Sequence, residues 1–274
     1  MNDSDTQLKK ALNGDINAFE SLFSQIHPQL KSYLYRLFAD RNDVEDISHD
    51  TFVKAFDKIS TFKGESSLKT WIFQIATNLA YDELRKRKRW QVDVQDRARA
   101  LAGSSDEIKA EFKSVQNNSP YGNYEIIEHI DFCFTCISKT LVIEQQIALI
   151  LKDIYDFSVK EISLIINKSE GVVKHLLIDS RKIMTNIFDN RCALISKKGI
   201  CHQCSELNGF FNPKQNQQEV ILALDLVKAS DKFNREELFE LRTKLVKSIN
   251  PLQSNGSDLQ EVIMKCTHLA ITKN

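Results

Sequence analysis

Apolar residues recur along this chain at three- and four-residue spacing, and hardly anywhere do they alternate. That period predicts helices rather than strands. Val44, Ile47, Phe52, Ala55, Phe56 and Ile59 make one stripe, predicting a helix from about Val44 to Ile59. Thr61-Phe62-Lys63-Gly64-Glu65 breaks the pattern, and Ser66 or Ser67 can cap the next helix by accepting from its free first-turn amides. Leu68, Trp71, Ile72, Ile75, Leu79 and Leu84 predict that second helix, to about Lys88, with Trp71 in the core. Ile143, Ile147, Ile150, Leu151 and Ile154 mark another helix. A shorter one begins after Asp156-Phe157-Ser158, with Val159, Ile162, Leu164 and Ile165 apolar. Asn167-Lys168-Ser169 is a turn, and Ser169 caps a helix from Glu170 to about Ile187. Two helices across so short a turn form a helix-turn-helix, whose second helix can enter the major groove. Helical stretches are also expected near Gln217–Ala229, Arg235–Ser248 and Ser257–Ile271, the last two parted by the turn region Pro251–Gly256.

Charge sharpens the picture locally. Lys plus Arg total 37 and Asp plus Glu total 37, so overall balance points to no partner. The helix at 44–59 carries Glu45, Asp46, His49 and Asp50 opposite its apolar stripe. Such a face is either simply solvated or a surface for a basic partner. Arg85-Lys86-Arg87-Lys88-Arg89 is an unbroken cationic run that could neutralise phosphates and release their counterions. Solvation or a localisation signal are the alternatives.

Residues 43–89 resemble region 2 of a bacterial RNA polymerase sigma factor of the extracytoplasmic-function type. The resemblance rests on Asp43, Glu45, Asp46, Asp50, Thr51, Phe52, Phe56, Phe62, Gly64, Thr70, Trp71, Ile75, Ala76, Asn78 and Arg85 onward, in order. Gly14–Phe23 is similar to the family's opening helix. The helix-turn-helix resembles region 4 through Glu161, Ile162, Gly171, Val173, Lys174, Leu177 and Arg181. It departs from the family at Leu141-Val142, Leu176 and Asp179. Losing cations there lowers the phosphate contribution. Leu176 and Ile178 fall where a recognition helix is normally wet, which suggests weakened −35 contact or a face covered by the tail.

The resemblance implies an all-α fold: a three-to-four-helix region 2 domain (1–90), a linker (91–130), a region 4 domain (131–189) and a helical C-terminal extension (190–274). It implies that Asp43, Glu45, Asp46 and Asp50 contact core RNA polymerase. It assigns Phe62, Lys63, Ser66, Lys69, Asn78, Asp82, Arg85 and Lys86 to −10 promoter DNA. Ser169, Glu170, Val172, Lys174, His175 and Arg181 go to the −35 element. A strand leaving a duplex needs a cationic track and a pocket for an unstacked base, which fits the loop at 62–67 beside a basic helix end. An anti-sigma protein is admitted as a further partner.

The six cysteines pose a separate question. Cys133 and Cys136 form one CxxC pair, set among Ile130, Phe132, Phe134 and Ile137 like reduced core residues. Cys201 and Cys204 form another, with Cys192 upstream and His202 between them. Cys192, Cys201 and Cys204 are candidate ligands for a structural zinc or members of a redox-sensitive site; no cofactor is required otherwise. No Walker loop, dinucleotide glycine fingerprint or HExxH occurs, so no enzymatic activity is expected. No apolar leader and no long apolar run occur, so a cytoplasmic protein without membrane contact is expected. Residues 91–125 read as polar linker, and the 85 residues from 190 to 274 as a folded regulatory domain or a stabilising appendage. Two other functions compete: a stand-alone helix-turn-helix regulator, and a metal- or redox-responsive scaffold.

Overall fold

A computed structural model describes residues 3–118, 126–192, 233–253 and 257–272. Every regular element among them is helical: α1 (Asp3–Leu12), α2 (Ile16–Phe38), α3 (Arg41–Lys58), α4 (Leu68–Arg85), α5 (Val94–Ser104), α6 (Asp106–Asn118), α7 (Ile126–Ser138), α8 (Ile143–Leu149), α9 (Val159–Ile165), α10 (Glu170–Arg191), α11 (Arg235–Lys247) and α12 (Ser257–Thr272). A 3-10 turn (Ile59–Thr61) extends α3, and a π turn (Ile150–Ile154) extends α8. The chain divides into two compact units, residues 1–88 with 143–177 and residues 89–142 with 178–274. The first joins sequence from before and after the linker, and the second holds the linker itself with the C-terminal part of the chain.

In the first unit α2, α3 and α4 pack together, with α1 on α2 and with α8 and α9 on α4. The α3 stripe lands as its spacing requires, with Val44, Ile47 and Ala55 buried. Phe52 and Phe56 join Phe19 in an aromatic cluster, ring centroids 5.4 and 5.5 Å away. On α4 the buried face is rotated from the expected stripe. Thr70, Ile72, Phe73, Ala76, Thr77, Ala80 and Leu84 are inside, while Trp71, Ile75 and Leu79 are half-buried. The cause is that α4 is covered from two sides, by α2 and α3 and by α8 and α9, so its inner face is broader than one stripe. Tyr33 of α2 sits at the meeting point. It is fully buried, hydrogen-bonded to Thr77 Oγ1 at 2.9 Å, with ring centroids of Phe73 and Tyr155 at 5.2 and 5.9 Å. Burial raises its phenol pKa well above the ordinary value.

In the second unit the polar stretch after residue 90 contains two helices, α5 (Val94–Ser104) and α6 (Asp106–Asn118). Their apolar positions are few and small (Ala98, Leu101, Ala102, Ile108, Phe112), which is why periodicity alone missed them. They become a face only when Cys266, Leu269 and Ala270 of α12 pack on them. The described part of the tail confirms the expected helices at α11 and α12 almost to the residue. The stretch expected near Gln217–Ala229 lies outside the described residues. α11 packs on α7, where Phe134, Phe188 and Phe239 form a trio with centroids 6.3–6.4 Å apart. The two described tail helices do not cover the outer face of α10: Ile178 remains 62% exposed. No described helix is long and apolar enough to cross a membrane.

Candidate nucleic-acid interface

Asp40 starts α3 by accepting from the amides of Asn42 and Asp43 at 2.9 and 3.1 Å, an N-cap that fixes where its acidic face begins. Glu45, Asp46 and Asp50 are exposed on that face, the last two one turn apart, and Glu45 pairs with Lys31. Asp43 differs from them. It is half-buried, and Arg87 clamps it with two bonds, Nη1 to Oδ2 at 2.6 Å and Nη2 to Oδ1 at 2.7 Å. Its carboxylate joins the ends of α3 and α4.

The cationic run therefore splits into two kinds of residue. Arg87 is held by Asp43 and Glu83 and lies over the Phe38 ring, 5.2 Å from its centroid. Hydrogen bonds from Arg87 to Asp43 chiefly raise the guanidinium pKa further. Arg89 donates from Nε to the Leu141 carbonyl at 2.7 Å, and burial pulls its pKa down to about 10. Arg85, Lys86 and Lys88 keep exposed side chains, with Arg85 stacked on Tyr81 at 4.5 Å. The run is thus less cationic toward solvent than its sequence suggests, because α4 ends at Arg85 and the next turn bends two arginines inward.

The 62–67 loop is compact. Gly64 has φ 72°, a conformation that costs a residue with a Cβ, and the Ser67 hydroxyl accepts from the Thr70 amide at 3.0 Å. Phe62 and Trp71, both half-buried, lie with ring centroids 5.4 Å apart. An aromatic pair beside an exposed Lys63 and a half-buried Ser66 is a surface on which a base can stack and find polar edges. Asn78, Asp82, Arg85 and Lys86 continue outward along exposed α4.

Lys69 belongs to a different environment. Its ammonium sits over Phe157 at 4.7 Å and Phe73 at 5.9 Å, and burial lowers its pKa against the opposing pull of Glu161 and Asp156. The cause is α9, which packs on α4. Thr70 Oγ1 donates to Glu161 Oε1 at 3.1 Å, Gln74 Nε2 to the Leu164 carbonyl at 2.8 Å, and Tyr81 OH to Glu144. Sequence reading treated these two modules as independent and missed this contact. No local signal gave it, because the partners lie about 90 residues apart in sequence.

The helix-turn-helix itself matches its expected boundaries. Ser158 and Glu161 form a reciprocal capping box on α9. Asn167 takes φ 51° at the turn, a left-handed conformation asparagine tolerates. Ser169 Oγ accepts from the Val172 amide at 3.3 Å, capping α10. Ser169, Glu170, Val172, Lys174, His175 and Arg181 are all exposed. Of the cysteines, Cys136 and Cys266 are buried, and burial pushes the Cys136 thiol up to about 12, which keeps it protonated and inert. Cys192 is half-buried, while Cys201, His202 and Cys204 lie outside the described residues. Among the described residues no group of three metal-binding side chains converges.

An acidic helix face, an aromatic loop, a basic helix end and a helix-turn-helix lie along this chain in that order, the layout of a transcription initiation subunit. Residues 22–90 match the family described as Sigma-70 region 2. The ECF RNA polymerase sigma factor SigX of Bacillus subtilis is 27% identical over 164 residues, covering 57% of this chain and 76% of that one. The ECF RNA polymerase sigma-E factor of Escherichia coli K12 is 24% identical, covering 65% of this chain and 91% of the relative. SigW of Bacillus subtilis is 30% identical over 82 residues, 44% of its length. Among solved structures, the sigma factor RpoE in complex with the anti-sigma factor NepR from Bartonella quintana is 22% identical, covering 62% of this chain and 96% of that one, with a TM-score of 0.44. Residues 22–90 thus carry a Sigma-70 region 2 module, and the relatives matched over 57–65% of this chain are sigma factors of the extracytoplasmic-function type.

Proposed function

We propose that this chain joins core RNA polymerase through the exposed carboxylates of α3 and directs it to promoters by binding −10 and −35 DNA. It is a transcription initiation factor, and it works by binding energy rather than by catalysis. Asp46 and Asp50, with Glu45, form the docking face; Asp43 supports it through Arg87. The pair Phe62 and Trp71, with Lys63 and Ser66, receives an unstacked −10 base, and Asn78, Asp82, Arg85 and Lys86 follow the strand toward the duplex. Ser169, Glu170, Val172, Lys174, His175 and Arg181 present α10 to the −35 major groove. Lys69 reaches DNA only when Phe157 leaves it. The protein acts in the cytoplasm and needs no cofactor, and Cys192, Cys201 and Cys204 remain the set on which a structural zinc would be sought by metal analysis.

The observation that carries the reading is the match of residues 22–90 to Sigma-70 region 2 together with the exposure of Asp46 and Asp50 on its third helix. A stand-alone helix-turn-helix regulator has no use for that module. The test is run-off transcription by core polymerase on a genomic promoter pool, with the wild-type chain and with Asp46→Lys/Asp50→Lys. Discrete start sites that vanish with the variant are expected. Start sites that persist with the variant would remove the docking assignment, and their absence from both, with a variant free of tail restraint also silent, would remove the function.

A further inference from the structure

Reading both promoter elements requires the two modules to part. The −10 and −35 elements lie about 25 base-pair steps apart, roughly 85 Å of duplex at about 3.4 Å per step. In the first unit α4 and α9 are joined by hydrogen bonds of 2.8 and 3.1 Å. With α9 held on α4, α4 and the α10 that follows α9 cannot both sit on their elements, so the segment between the modules has to supply the reach.

That segment, residues 89–142, is shut. Its beginning is fastened to its end: Arg89 Nε donates to the Leu141 carbonyl at 2.7 Å, and the Trp90 amide to the Lys139 carbonyl at 3.3 Å. The Lys139 ammonium lies over the Trp90 ring at 4.7 Å, and both residues are buried, at 4% and 7% exposure. Fastened so, the whole segment spans almost nothing. Inside the closed loop, α5 and α6 shorten the chain further, since a helix advances about 1.5 Å per residue against about 3.3–3.6 Å when extended.

The C-terminal helix holds this state. Cys266, Leu269 and Ala270 of α12 pack on Ala98, Leu101, Ala102, Ile108 and Phe112. His268 meets the Trp90 ring edge-on at 5.8 Å, and Lys265 pairs with Glu111 at 2.7 Å. The same unit carries a cost. Thr135 Oγ1 on α7 and Gln260 Nε2 on α12 are buried with no hydrogen-bond partner. A small apolar contact, in a unit that leaves buried polar atoms unmatched, makes an assembly that other contacts can displace.

We propose that α12 is a built-in clamp that keeps the linker closed and so restrains promoter reading until polymerase or another ligand displaces it. The proposal rests on the sigma reading above. Its test uses the full chain with Ala270→Asp, which places a charge in the α12 contact, and separately Arg89→Ala, which opens the fastening without touching α12. Amide exchange and run-off transcription with core polymerase are read together. Exchange over residues 94–118 should rise at least tenfold in Ala270→Asp with residues 16–85 unchanged, and both variants should give severalfold more transcript. Unchanged exchange over 94–118 would show that α12 does not hold the linker. Faster exchange with no gain in transcript from either variant would show that the closed linker restrains nothing. Failure of every form to bind core polymerase would overturn the sigma reading and the restraint with it, while the exchange result would still decide whether α12 holds the linker. Should Ala270→Asp lose protection over 16–85 as well, Glu111→Lys and its reversal by Lys265→Glu replace it, and 94–118 exchange that rises and is then restored is the supporting result; no change there would overturn the clamp.

Discussion

At single residues, the same amino-acid types play opposite roles according to which way one turn of backbone points them. Asp43 and Asp46 are both acidic and both near the start of α3, yet one is clamped by Arg87 and the other faces solvent. Arg87→Ala should therefore cost about 1 kcal/mol of stability, a modest figure because the pair is a fifth to a third exposed. Denaturant titration checks it, and Lys88→Ala in the same experiment should cost nothing measurable. Tyr33→Phe leaves the Thr77 hydroxyl without its buried partner and should cost about 1–3 kcal/mol. Thiol chemistry separates the described cysteines in the same way. A haloacetamide at neutral pH should modify half-buried Cys192 in the native protein and spare buried Cys136 and Cys266, as peptide mass spectrometry would show.

Among elements, the head of α9 is where local and tertiary demands meet. Burial pushes the Glu161 pKa up, but hydrogen bonds from the Ser158 amide and hydroxyl and from Thr70, with Lys69 nearby, hold it below its ordinary 4.5. A carboxylate with a lowered folded pKa adds stability that is present above 4.5 and is lost as pH falls through the folded value. Wild type should thus be more stable than Glu161→Gln at pH 7, and the two should converge as pH falls below 4.5 and through the lower folded value. Equal stabilities at neutral pH would remove this role. The turn after α9 gives a second element-level expectation: Asn167→Gly should be nearly neutral, whereas Asn167→Val should cost about 1–2 kcal/mol, since only the latter strains a left-handed residue. These caps and turns were legible in the sequence because they are local chemistry: Ser158 with Glu161, Ser67, Asn167 and Ser169 each announce a boundary. The second covered side of α4 and the helicity of α5 and α6 were not legible. Both depend on partners far away in sequence, Phe157 for Lys69 and α12 for Ala98 and Ile108, and no window of neighbouring residues contains that information.

For the whole molecule, the candidate interface is spread over parts that the closed arrangement does not make available together. The acidic face of α3 and the loop at Phe62 are open, and the exposed side of α10 is open, with Val172 at 44% exposure. Lys69, Thr70 and Gln74 are engaged by α9 and the Phe157 that precedes it. Polymerase docking can therefore precede DNA reading, and separation of α4 from α9 becomes the step that commits the complex. Fluorophores placed by unnatural amino acids at Gln25 on α2 and Lys160 on α9, both exposed and outside every assigned contact, report that step. Energy transfer should be high in the free chain and should fall when core polymerase and a promoter with both elements are added together. A promoter in which only −10 is intact should yield a smaller fall, because nothing then pulls α10 toward a site roughly 85 Å away. Transfer that stays high in a complex making transcript would mean that one module alone reads DNA, and the exposed face of α10 would then have to serve a protein partner instead.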